Sequence, residues 1–242
     1  PVTINDTFIG GRPNFVAGAG AVIPPNYLDT VRANYGSSDI IGHADSFDVT
    51  SMSVDLIGSN TLSVVIHSTF FDNIGELGIG LGDLFISTDG WNPVADTTQD
   101  YIGNGEDWEI AVSLDNYNAL AGNLNAYNVV ANNIVQSWVD PPAPGLARLY
   151  RGEQEVRYAA NGEQSIGGGN WVVDTVANTL TLNVVFGQDF ADIGGAVWGF
   201  HWVMTCGNDV IEGATSIPEP GTFALLLAGL GAAAARRRRR TA

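Results

Sequence analysis

Apolar and polar side chains alternate with a period of two along much of the chain, and that period confines those stretches to half-buried β-strands. Met52, Val54 and Leu56 face one way with Ser53 and Asp55 opposite, and Leu62, Val64 and Ile66 repeat the pattern around Ser63. Trp108, Ile110, Val112 and Leu114 alternate with Glu109, Ala111, Ser113 and Asp115, and Leu180, Leu182, Val184 and Phe186 alternate with Thr181 and Asn183. Thirty glycines and many Asn and Asp residues separate the runs and supply turn conformations. The nearest approach to a helical stripe, Tyr117 to Val130, holds four asparagines, which argue against a helix. The expectation is an all-β fold: an antiparallel β-sandwich of jelly-roll type, followed by a short C-terminal hydrophobic helix. A barrel or a β-solenoid is the alternative, and no short fixed repeat supports the solenoid. The 242 residues fit one such domain over residues 1–213, a linker over 214–220 and an anchoring segment over 221–242.

One internal echo stands out. Asn60 to Ile66, followed by Phe70-Phe71-Asp72-Asn73-Ile74-Gly75, parallels Asn178 to Phe186, followed by Phe190-Ala191-Asp192-Ile193-Gly194. Two strands at equivalent places in two packed sheets would produce it, and so would chance, because alternation is common in β proteins.

Charge narrows the partners. Lysine is absent, and five of the ten arginines are Arg236, Arg237, Arg238, Arg239 and Arg240, so the stretch before them sets five arginines against 26 acids, a charge of −21. Nucleic acid is not expected as a partner, since phosphate binding needs a cationic surface. Cys206 is the lone cysteine, which excludes an internal disulfide, and its expected place is the core. His43, His67 and His201 lie far apart without a cysteine partner, so no zinc site is expected. No charged-then-apolar leader follows Pro1, so either a leader has been removed or the sequence is a fragment.

Two acidic clusters invite chemistry. Asp72, Glu76, Asp83 and Asp89 lie in a glycine-rich stretch where carboxylates could converge on calcium, although the spacing matches no EF-hand and acidic turn caps on a solvated rim are the favoured account of the cluster. Glu106, Asp107 and Glu109 invite comparison with a secreted polysaccharide-active glycoside hydrolase, but alternation puts Glu106 on the face opposite Asp107 and Glu109. With no serine elbow and no phosphate-cradling loop, the chain reads as a non-enzyme. Trp91, beside Asn92 in a Gly-Trp-Asn-Pro turn, is the candidate platform for lectin-like stacking on a sugar ring, whereas Trp108, Trp198 and Trp202 belong to alternating strands and the core.

The tail carries the most specific signal. Pro218, Glu219 and Pro220 are followed by an apolar run from Gly221 to Ala235 and then by the five arginines. As a helix at ~1.5 Å per residue the run spans roughly 22 Å, short of a ~30 Å hydrocarbon core, so it is a marginal anchor. By the positive-inside rule the arginines stay cytoplasmic and residues 1 to about 217 lie outside. This order of elements resembles the PEP-CTERM sorting signal of Gram-negative bacteria. The resemblance implies an exosortase as processing partner, transient residence in the inner membrane, and delivery to the cell surface or to an exopolysaccharide and biofilm matrix. His201 to Asp209 is also similar to a stretch that precedes the signal in many such proteins.

Overall fold

The structure, a computed structural model, describes residues 1–6, 40, 44–91, 107–137 and 154–216. Its strands in chain order are β1 (Val2–Asn5), β2 (Val49–Ile57), β3 (Thr61–Ser68), β4 (Leu84–Ser87), β5 (Ile110–Leu114), β6 (Ala121–Asn128), β7 (Ile134–Gln136), β8 (Glu155–Tyr158), β9 (Gly167–Asp174), β10 (Thr179–Phe186), β11 (Val197–Val203) and β12 (Val210–Ser216). Ten of them form one antiparallel sheet in the order β1-β2-β3-β10-β9-β6-β5-β4-β11-β12, and β7 pairs with β8 separately. The two ends of the order approach one another, β1 packing against β12, so the sheet curls into a nearly closed barrel. The expected division into two facing jelly-roll sheets is not what the chain forms. The strands fall where the alternation puts them but close on one another in a single sheet, because a period of two is common to a sandwich and a barrel. The segment expected as a C-terminal helix lies outside the described residues.

Eight strands already enclose room for side chains, so a ten-stranded ring must be filled with large ones. Trp171, Trp198, Trp202, Phe186 and Phe200 are fully buried in one core with Met52, Leu62, Ile66 and Leu182. Phe70 and Phe71, in the 3₁₀ turn after β3, close one end, with Phe71 and Trp202 ring centroids 5.8 Å apart. Phe190, in the helical turn after β10, closes the other end against Trp198 at 5.6 Å. Cys206 is buried in the same core, as expected.

The echo acquires a geometric meaning here. Its two strands are immediate neighbours, not counterparts in separate sheets: Leu62 pairs with Val184, Val64 with Leu182 and Ile66 with Leu180. Advancing by 118 positions carries Val64 onto its own partner Leu182, and the same step carries Leu84 of β4 onto its own partner Trp202 of β11. Both junctions therefore sit on a local two-fold axis. Mapping β2, β3, β4, β5 and β6 onto β9, β10, β11, β12 and β1 carries each laddered neighbour pair onto another, except that the β5–β6 ladder falls on the β12–β1 junction, which has none among the described residues.

Candidate functional site

Polar groups gather on the outer wall of the barrel, where β8 crosses it. His201 of β11 and Glu212 of β12 are cross-strand partners that point away from the core, yet both are buried. Phe85 and Ala111 also face outward and pack with Trp108 and Tyr158, while Val203 and Val210 pack with Val156. The β7–β8 pair thus straps the outside of β4, β5, β11 and β12 with a second apolar layer.

Two groups pin the strap. The Nε2 of His201 lies 2.8 Å from the backbone oxygen of Glu155, which can only accept, so this nitrogen carries a hydrogen. Its Nδ1 lies 2.7 Å from Glu212 Oε1, and the other Glu212 oxygen accepts from Trp91 Nε1 at 3.2 Å. Burial by itself would push the imidazole pKa down, but the hydrogen bond and charge of Glu212, with Glu155, outweigh it and hold it above the usual value. Burial raises the Glu155 carboxyl above its ordinary range, partly opposed by His201.

Asp83 is the second pin. It is fully buried, accepts from the backbone N–H of Leu114 at 2.9 Å and of Tyr158 at 2.7 Å, and takes the Tyr117 hydroxyl at 3.3 Å. Its own N–H donates to Val156 O at 2.9 Å. Burial pushes its pKa up to about 7, against the opposing effect of those two amides and of Arg157. Gly82, just before it, has no room for a side chain: a Cβ there would lie 1.8 Å from the Val203 carbonyl oxygen.

Asp72, Glu76 and Asp89 are exposed while Asp83 is sealed beneath the strap, and no three His, Cys, Asp or Glu among the described residues are grouped to hold a metal. Asp89 accepts from Ser87 Oγ at 3.0 Å. Trp91 is half-buried against the Val156 layer with its N–H donated to Glu212, and Asn92 lies outside the described residues. Asp107 is exposed, Glu109 accepts the Thr88 backbone N–H at 2.7 Å, and Glu106 lies outside the described residues. Trp198 and Trp202 line the barrel core, but Trp108 packs on the outer face, because the phase of alternation slips just before β5 begins at Ile110. The buried acid–imidazole group was missed, although the nearly unbroken apolar run of β11 was a signal that both faces are covered.

β12, the last strand among the described residues, ends at Ser216. Residues 216–240 match the family described as the PEP-CTERM protein-sorting motif. The chain carries a PEP-CTERM sorting signal. It is an exported protein, and its sorting is the work of an exosortase. Pro218, Glu219, Pro220 and Arg236 to Arg240 all fall within the matched residues and outside the described ones. The PEP-CTERM match covers the tail and not the barrel, and no curated protein and no solved structure matches the chain.

Proposed function

We propose that the exported barrel is a non-catalytic surface or matrix component of a Gram-negative bacterium, held near exopolysaccharide or biofilm after its sorting signal is processed. The observation that carries this reading is the use of the buried polar groups. His201, Glu212 and Asp83 are each committed to holding strands together, with carboxylate oxygens on backbone amides or on the imidazole, and none of these contacts leaves an acid facing solvent in a cleft. A glycosidase needs one protonated and one ionised carboxyl flanking an open site. Glycan contact at this surface would be lectin-like, by exposed polar side chains and the outer part of Trp91. The body charge favours neutral glycans, or acidic ones bridged by calcium.

Turnover of the host's own polysaccharide is the direct test. The parent chain and a variant with Glu106, Asp107 and Glu109 all changed to alanine should both leave the polymer intact and be retained equally in the matrix. Cleavage by the parent that disappears in the variant would establish a hydrolase instead.

A further inference from the structure

The wall that the strap leaves uncovered carries a row of polar side chains in register. Asp55 of β2, Ser63 of β3, Asn183 of β10, Asn170 of β9 and Asn123 of β6 are successive cross-strand partners, and alternation points them all outward. Ser63 donates to Asn183 Oδ1 at 2.9 Å, Asn183 Nδ2 to Asn170 Oδ1 at 3.4 Å, and Asn123 Nδ2 to Asp115 Oδ2 at 3.3 Å. The chain of bonds breaks between β9 and β6. Among the described residues nothing takes Asn170 Nδ2 or donates to Asn123 Oδ1, and the side-chain amide of Asn125, two residues further along β6, is likewise free.

Gly168 of β9 pairs with Asn125 and leaves a dip beside this break. Packing does not demand the glycine: a Cβ there would lie 3.5 Å from the Leu124 carbonyl oxygen and 3.6 Å from Asn125 Oδ1, ordinary contact distances. Its partner on the other side, Val185, is half-exposed and forms an apolar shoulder. Bare backbone, an apolar shoulder and amides that donate and accept suit a pyranose ring, whose hydroxyls do both and whose C–H face is apolar. Charge narrows the occupant further. Asp174 is the one acid along β3, β10, β9 and β6, in a body of charge −21, so this wall is close to neutral. Its outward residues include no arginine, methionine or tryptophan, and Tyr127 packs beneath the strap, so the usual anchors of a protein interface are missing.

We propose that the dip over Gly168 is a carbohydrate subsite that takes one ring of a neutral polysaccharide. One sugar hydroxyl accepts from Asn170 Nδ2 and donates to Asn123 Oδ1, closing the break in the row, while Asn125 holds a second hydroxyl and Val185 lies against the ring. The inference rests on the reading of the barrel as a glycan-associated surface protein, and it puts the contact on the uncovered wall instead of at Trp91.

Titration of the full chain with cellotriose, laminaritriose, mannotriose and trigalacturonate tests it, read by calorimetry and by the side-chain amide signals of Asn125 and Asn170. At least one neutral trisaccharide should bind and shift those signals, and trigalacturonate should not. Gly168→Thr fills the dip at an outward strand position, and Asn125→Ala/Asn170→Ala removes two of the amides. Each variant should keep the parental unfolding midpoint and weaken binding about tenfold. Binding of no neutral trisaccharide, or undiminished binding in both variants, overturns the proposal. Binding that survives in both variants and is lost in Trp91→Ala would move the glycan to the strap, which removes the subsite and spares the reading it rests on. Dimers seen by sedimentation without sugar, and abolished by Gly168→Thr, would assign the wall to a second copy of the chain instead. Shortening of a trisaccharide during the titration would break the non-catalytic reading itself, whichever way the variants bind.

Discussion

Two parts of the same barrel wall follow the same strand rules and end in different environments. In β3 and β10 every second residue is buried and the residues between stay half-exposed, with Val172 on neighbouring β9 and Val185 on β10 48% and 50% exposed. In β4, β5, β11 and β12 nearly every residue is buried, whichever way it points. The difference is the β7–β8 strap, which turns an outer face into a second interior. Outward-pointing acids and a histidine, ordinary on a wet face, must there be paired or neutral, because desolvating a lone charge is costly.

The sharpest way to break this comparison is to place a charge at matched outward positions. Ala111→Glu beneath the strap should cost several kcal/mol or prevent folding, since Ala111 is fully buried between Phe85 and Trp108. Denaturant unfolding with parental stability would show that the strap does not cover the wall.

Removing one partner of the buried pair comes next. Glu212→Ala should cost about 3 kcal/mol, because it strands the His201 imidazole and the Trp91 N–H away from solvent. An unfolding midpoint unchanged from that of the parent would mean that the pair contributes nothing.

The strap should also loosen as pH rises. The folded-state pKa values of Asp83, Glu155 and His201 are all raised, so the folded chain binds protons more tightly than the unfolded one. For Asp83 the resulting stability is complete below its unfolded pKa near 3.8 and is lost as pH climbs through about 7. The slope is at most roughly 1.4 kcal/mol per pH unit. Thermal unfolding between pH 4 and 8 should show the decline, and Asp83→Asn should flatten it. A parental curve that rises over that range would contradict the assignment.

Smallest of all should be Thr181→Glu, at an outward position on the uncovered wall, with an expected change within about 0.5 kcal/mol. A large loss in the same unfolding assay would mean that this wall too is covered.

What the sequence determined by itself was local and periodic. Strand identity in Leu62 to Ile66 and Leu180 to Phe186 follows from the alternation of neighbours, and the sorting signal follows from a contiguous order of breaker, apolar run and arginines. The echo was legible too, though not its cause. Closure into one barrel, the dyad through Val64–Leu182 and Leu84–Trp202, and the strap over β11 are products of tertiary structure. Each depends on which strands become neighbours, and pairings such as Asp83 with Tyr158 or His201 with Glu155 join residues separated by loops whose length leaves no periodic trace. Alternation says that His201 and Glu212 point outward. Only the packed molecule decides whether outward means water or the underside of another sheet, because burial depends on what lies opposite a side chain, and one strand's pattern carries no record of that.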